Sequence, residues 1–146
     1  MAGIDVRLEQ KIGFDRIRQI ISDKCSTVYA TERAATETFS NKASLIRKRL
    51  LLTDEMRLIM MFEDSFPSGG FIDCIDFLKP LESTSSAIDL LSLRKLKTML
   101  ETLRKVTAFF EDIKDGVYPN LKRMSAPIMS FPEVQRRIEG IIDRYG

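Results

Sequence analysis

The chain has 146 residues, 23 Lys and Arg against 21 Asp and Glu, a net charge of +2 and no His. That length suits one domain with a sizeable core. The near balance of charge argues against a dedicated basic nucleic-acid-binding domain, and the lack of His removes the usual general base and the commonest metal ligand.

The longest apolar run, Leu58 to Phe62, is far too short to span a bilayer. Met1 to Glu9 lacks the apolar stretch of a signal peptide, so a cytoplasmic location is the default expectation. Cys25 and Cys74 fall on apolar helical faces and read as reduced core residues; a zinc site would need more ligands in a closer set. None of the glycines sits in a GxxxxGK[ST] or GxGxxG pattern, so no phosphate-cradling loop is visible, and no cofactor, metal or catalytic set is expected within these residues.

In chain order, Asp5 starts a short helix through Lys11, and Gly13 interrupts it. Phe14, Ile17, Ile20, Ile21, Cys25 and Val28 share one helical face. One long or gently broken helix is expected from Phe14 to Phe39, with Ser26 and Thr27 as the kink. Ser40 or Asn41 caps the next helix, Lys42 to about Glu63, which is apolar on more than one side. Phe66-Pro67-Ser68-Gly69-Gly70 is the clearest break. A short helix from Phe71 to about Lys79 ends near Pro80, and Leu81 to Asp89 reads as a connector.

The strongest helical pattern runs from Leu91 to about Lys114. Leu93, Leu96, Leu100, Leu103, Thr107 and Phe110 form its apolar row, widened by Met99, Val106 and Ile113. Ser92 is its expected N-cap, with Leu91 packing on Leu96 as a staple. Asp115-Gly116 ends it, and Asn120 to Met124 gives another turn. Ser130 and Glu133 have capping-box spacing around Pro132, with Met129 and Val134 at staple positions. Ile138, Ile141, Ile142 and Tyr145 continue that last helix. No segment alternates with period two. The expected fold is all-α, with long antiparallel helices in a single domain over residues 1–146.

Few residues carry a chemical signal. Asp73 and Asp76, one turn apart, have the spacing of paired carboxylates but read as the solvated side of a short helix. Basic residues cluster at Arg47, Lys48 and Arg49, and recur at Lys97 and Arg104. These five are candidates for weak DNA contact, against the plainer reading of solvated faces interleaved with acids, as in Glu101 four before Lys105.

The order of short motifs resembles a known family. It runs Phe14-Asp15-Arg16-Ile17, Thr53-Asp54-Glu55, then Pro67-Ser68-Gly69-Gly70-Phe71-Ile72-Asp73. Leu91-Ser92-Leu93-Arg94-Lys95-Leu96, Phe131-Pro132-Glu133-Val134 and Ile142-Asp143-Arg144-Tyr145-Gly146 complete it. Together these resemble the N-terminal portion of MutS-family ATPases, nearest to the bacterial branch that lacks the mismatch-reading domains and often carries a C-terminal Smr nuclease. The likeness covers about Leu8 to Gly146. Arg94 and Lys95 depart from it, standing where that branch often has an acid.

The resemblance implies a fragment: the first half of a helical core or lever domain that joins DNA-clamping helices to an ATPase domain. It implies a homodimeric parent that uses ATP and magnesium and acts on DNA, or on ribosomes in some members. No catalytic residue of the family maps onto these positions. The alternative is a free-standing helical adaptor that binds another protein through an apolar groove. Apolar surface on the Lys42–Glu63 and C-terminal helices predicts self-association as a two-fold dimer.

Overall fold

A computed structural model describes residues 6–83 and 86–145. Among these, eight α-helices and one short 3₁₀ turn account for the regular structure, and there is no strand. The fold class is therefore all-α. The chain divides into two compact units, Met1–Ala43 and Ser44–Gly146.

The first unit holds α1 (Val6–Lys11), α2 (Phe14–Ser22) and α3 (Val28–Ala35). The expected start of the first helix at Asp5 lies outside the described residues. Gly13 joins α1 to α2 with φ +73°, a left-handed geometry that suits glycine. The one long or gently broken helix expected from Phe14 to Phe39 does not form; the segment holds two helices that double back. A continuous helix would hold those two rings roughly 37 Å apart, yet their centroids are 4.2 Å apart. The chain reverses because Thr27 takes an extended conformation and its hydroxyl accepts the Ala30 N–H at 3.2 Å, starting a new helix. Cys25 consequently sits in the turn, half-buried, instead of on a helical face.

Polar contacts close this hairpin. The Arg18 guanidinium donates to Glu9 Oε2 at 2.7 Å and to the Glu37 carbonyl at 2.8 Å, and lies 4.9 Å from the Phe14 ring centroid. Ser22 Oγ reaches the Thr31 carbonyl at 3.4 Å. Among the described residues of this unit the buried ones are Glu9 and Ser22, neither of them apolar.

The second unit carries α4 (Ala43–Phe62), α5 (Ile75–Leu78) with a 3₁₀ turn over Lys79–Glu82, α6 (Leu90–Asp112), α7 (Pro119–Ser125) and α8 (Pro132–Tyr145). Its core joins Ile59 of α4, Val106, Phe109 and Phe110 of α6, Tyr118 and Leu121. Phe66 packs edge-on against Phe109 at 5.1 Å between centroids. The buried face of α6 is thus Leu93, Thr102, Val106, Phe109 and Phe110, while Leu96 and Leu103, expected at its centre, are half-buried. The face turns because residues 70–72 cover α6 at Thr102 and Met99, where the sequence pattern placed its edge.

Asp89, not Ser92, caps α6. Its carboxylate accepts the Ser92 N–H at 2.9 Å and the Ser92 hydroxyl at 2.6 Å. A carboxylate at the cap position, three residues ahead of the amide it accepts, outcompetes a hydroxyl already inside the helix. Leu91 is 65% exposed, so no staple forms there. At the other end Lys122 Nζ donates to the Ile113 carbonyl at 2.7 Å and to Asp115 at 2.8 Å, securing the turn after the helix.

The helix expected from Phe71 to Lys79 shrinks to α5. Residues 71–74 instead run non-helically across α6, with the Ile72 N–H on Met99 Sδ at 3.4 Å. Gly70, at φ +84°, lies so close to Thr102 that a Cβ there would collide with its hydroxyl. Asp73 therefore belongs to a loop and Asp76 to α5, so the two do not lie one turn apart on a helix. In α8 the Gln135 N–H bonds the Phe131 carbonyl at 3.0 Å, which puts the cap position at Phe131, one residue after Ser130. Ile138 is the buried residue of α8, which packs on α6.

Candidate functional site

The second unit is organised around one carboxylate. Helix α7 begins with Pro119, and the residue before it, Tyr118, offers no side-chain cap. Its free N-terminal amides need an acceptor from elsewhere. Glu55 supplies it from α4. Oε1 accepts the Asn120 N–H at 3.1 Å and the Asn120 side-chain amide at 2.6 Å, and Oε2 accepts the Leu121 N–H at 2.8 Å. Glu55 is 8% exposed, so these bonds are sheltered from water. Eight residues on, just past the end of α4, Glu63 accepts the Tyr118 hydroxyl at 2.9 Å. Burial, reinforced by the Glu63 carboxylate, pushes the Tyr118 phenol above its usual range, which keeps it a neutral donor.

Fixing α7 against α4 leaves an apolar groove beside it. One cavity of about 360 Å³ opens between Met56, Met60, Phe66, Phe71, Phe110 and Met124. A shallower depression of about 470 Å³ shares Met56, Met60, Leu121 and Met124 and is bordered by Thr53 and Arg57. Met60 and Met124 are 59% and 60% exposed. Unbranched methionines at such a surface adapt to more than one apolar shape. The lining is mostly apolar, with Ser68 and Ser125 contributing hydroxyls to the deeper cavity.

The five basic candidates fall into two groups. Arg47, Lys48 and Arg49 follow one another near the start of α4, with Arg47 and Lys48 exposed and Arg49 half-buried. Lys97 and Arg104 lie on α6, about two turns apart. Lys97 already faces Glu101 at 3.8 Å and Glu139 at 3.7 Å, so two carboxylates compete with any phosphate there. Arg104 is exposed.

Among the described residues no group of three or more His, Cys, Asp or Glu side chains is placed to hold a metal ion. Cys74 is a buried free thiol, and burial pushes its thiol upward, away from the reactive thiolate. No helix among the described residues is long and apolar enough to cross a membrane.

The Thr53-Asp54-Glu55 motif and the helical turn over Asn120 to Met124 are each visible in the sequence, but nothing there joins Glu55 to that turn. The usable signal was Pro119 at the first helical position with no Ser, Thr, Asp or Asn ahead of it. Comparison with family models, with curated proteins and with solved structures returned no match to this chain.

Proposed function

We propose that this chain is a non-catalytic helical core segment of a MutS-type DNA-repair or recombination-control ATPase, passing movement between DNA-clamping helices and an ATPase domain elsewhere in the parent protein. The observation that supports it best is the use to which the motif residues are put. Glu55 of the Thr53-Asp54-Glu55 motif locks α7 to α4, and Gly70 of the Pro67–Asp73 motif lets the chain close onto Thr102. Their work is to hold helices in register, which is what a lever requires.

Helices α4 and α6, with 20 and 23 residues, supply the rods. On this reading ATP, magnesium and the main DNA contacts belong to the parent, a cytoplasmic homodimer. Arg47, Lys48, Arg49 and Arg104 add weak backbone contacts at most. The test is to read the gene beyond codon 146 and assay the product. A GxxxxGK[ST] sequence, with DNA-stimulated ATP hydrolysis that Glu55→Ala uncouples from DNA, is the expected result. A frame lacking a phosphate loop would overturn the reading.

The methionine-lined groove favours a second reading, a helical adaptor for an apolar segment of another protein. An uninterrupted stop after codon 146, together with saturable binding of an amphipathic peptide that Met124→Glu abolishes, would decide for it.

A further inference from the structure

Among its described residues the first unit has exposed apolar side chains and no buried one. Its hairpin closes along Phe14, Arg18 and Ser22 of α2, successive positions four residues apart. Ile17, Ile20 and Ile21 lie on the neighbouring stripe and remain 51%, 50% and 51% exposed. Leu8 and Ile12, before α2, are 49% and 56% exposed. Units of about 40 residues seldom fold on their own core and commonly recruit a metal, a disulfide or another subunit. This one has neither a disulfide nor, among its described residues, a metal-binding group.

We infer that the α1–α2 isoleucine face is a self-association surface, occupied by the same face of a second copy in an antiparallel two-fold pairing. Two arguments select a second copy. The first is area. Five large aliphatic side chains about half exposed offer on the order of 400 Å², taking for each the lower end, about 150 Å², of what large aromatic side chains bury. Interfaces are a little over half apolar, so this is the share expected in a patch of roughly 700 Å², close to the standard area per partner.

The second argument is charge. At about 100° per residue, Arg16 in the first turn of α2 and Asp23 at its C-cap border the stripe along the edge that Ile20 occupies, and both are exposed. An antiparallel pairing sets Arg16 of one helix against Asp23 of its mate. A two-fold axis satisfies both ends at once and buries the isoleucines between them. This surface does not depend on the lever reading.

The experiment uses the full chain. Light scattering at rising concentration is expected to show a monomer–dimer equilibrium. Ile20→Glu combined with Ile21→Glu is expected to weaken it at least ~30-fold, the effect of losing an interface hot spot, with the helical circular dichroism retained. Met124→Glu, in the methionine groove, leaves it unchanged. Hydrogen exchange on the unaltered protein serves if the double variant fails to fold: amides of α2 become more protected as concentration rises. A monomer at every concentration, a dimer indifferent to the α2 changes, or α2 protection independent of concentration overturns the inference.

Discussion

Glu55 and Leu121 lie 66 residues apart in sequence and share a buried hydrogen bond of 2.8 Å from the Leu121 amide to the Glu55 carboxylate. That bond, with the two from Asn120, converts the open end of a seven-residue helix into a fixed wall of the core. Glu55→Ala leaves buried amides without an acceptor and is expected to cost roughly 2–3 kcal/mol, the range for hydrogen bonds to a charged group. Glu55→Gln keeps one acceptor and costs less. Urea unfolding of the two variants checks the order; equal stability of all three proteins would contradict it.

Gly70 is expected to be intolerant of any side chain. Its φ of +84° is strained for an L residue, and the added Cβ meets the Thr102 hydroxyl. Gly70→Ala should cost more than about 1 kcal/mol. Combining it with Thr102→Ala should recover part of the loss, because the collision disappears while the backbone strain stays. Gly69→Ala, where a Cβ meets open space, is the neutral control. Thermal melts of the four proteins separate the two contributions.

The packing of α6 makes an asymmetric forecast. Phe109→Ala opens the centre of the core and is expected to cost roughly 3–5 kcal/mol. Leu103→Ala, on the half-buried flank, should cost less than about 2 kcal/mol. The sequence pattern alone put Leu103 in the buried row, where its truncation would cost roughly 2–5 kcal/mol. Denaturant unfolding that ranked Leu103 above Phe109 would restore that expectation.

The cap of α6 carries a pH dependence. Hydrogen bonds from the Ser92 side chain and amide hold Asp89 below its usual value of 3.8. A carboxyl lowered by folding contributes stability that is fully present above its unfolded value. The contribution is lost as pH falls through the lower, folded value. Stability should therefore drop with acid below about pH 4, by an amount that Asp89→Asn removes, since the amide caps without titrating. Parallel acid titrations of both proteins, followed by circular dichroism, give the difference.

The periodic segments were readable from the chain because long amphipathic helices write their burial into every third or fourth residue. Helices α4 and α6 fall within two residues of their expected ends. Two of the misreadings share a physical cause: polar side chains won local competitions that apolar periodicity does not record. Thr27 caps a new helix and turns the Phe14–Phe39 segment into a hairpin. Asp89 takes the cap expected of Ser92.

The candidate site was legible only in pieces. Methionines 56, 60 and 124 were visible as apolar residues, but their convergence depends on the Glu55 bonds to α7. A pairing across more than sixty residues leaves no periodic trace. The five basic candidates were found as residues and not as a place, because α4 and α6 carry them in separate groups.

The polar closure of the first hairpin has a calorimetric consequence. Heat capacity rises on unfolding chiefly because apolar surface meets water, and newly exposed polar surface lowers it. In the monomer, melting a hairpin held by Arg18, Glu9 and Ser22, with its isoleucines already wet, uncovers little apolar area. Its free energy should then vary almost linearly with temperature, without the dome shape that the aromatic core around Phe109 imposes on the second unit. Cooling should strengthen the hairpin at temperatures where the hydrophobic support of that core is already fading.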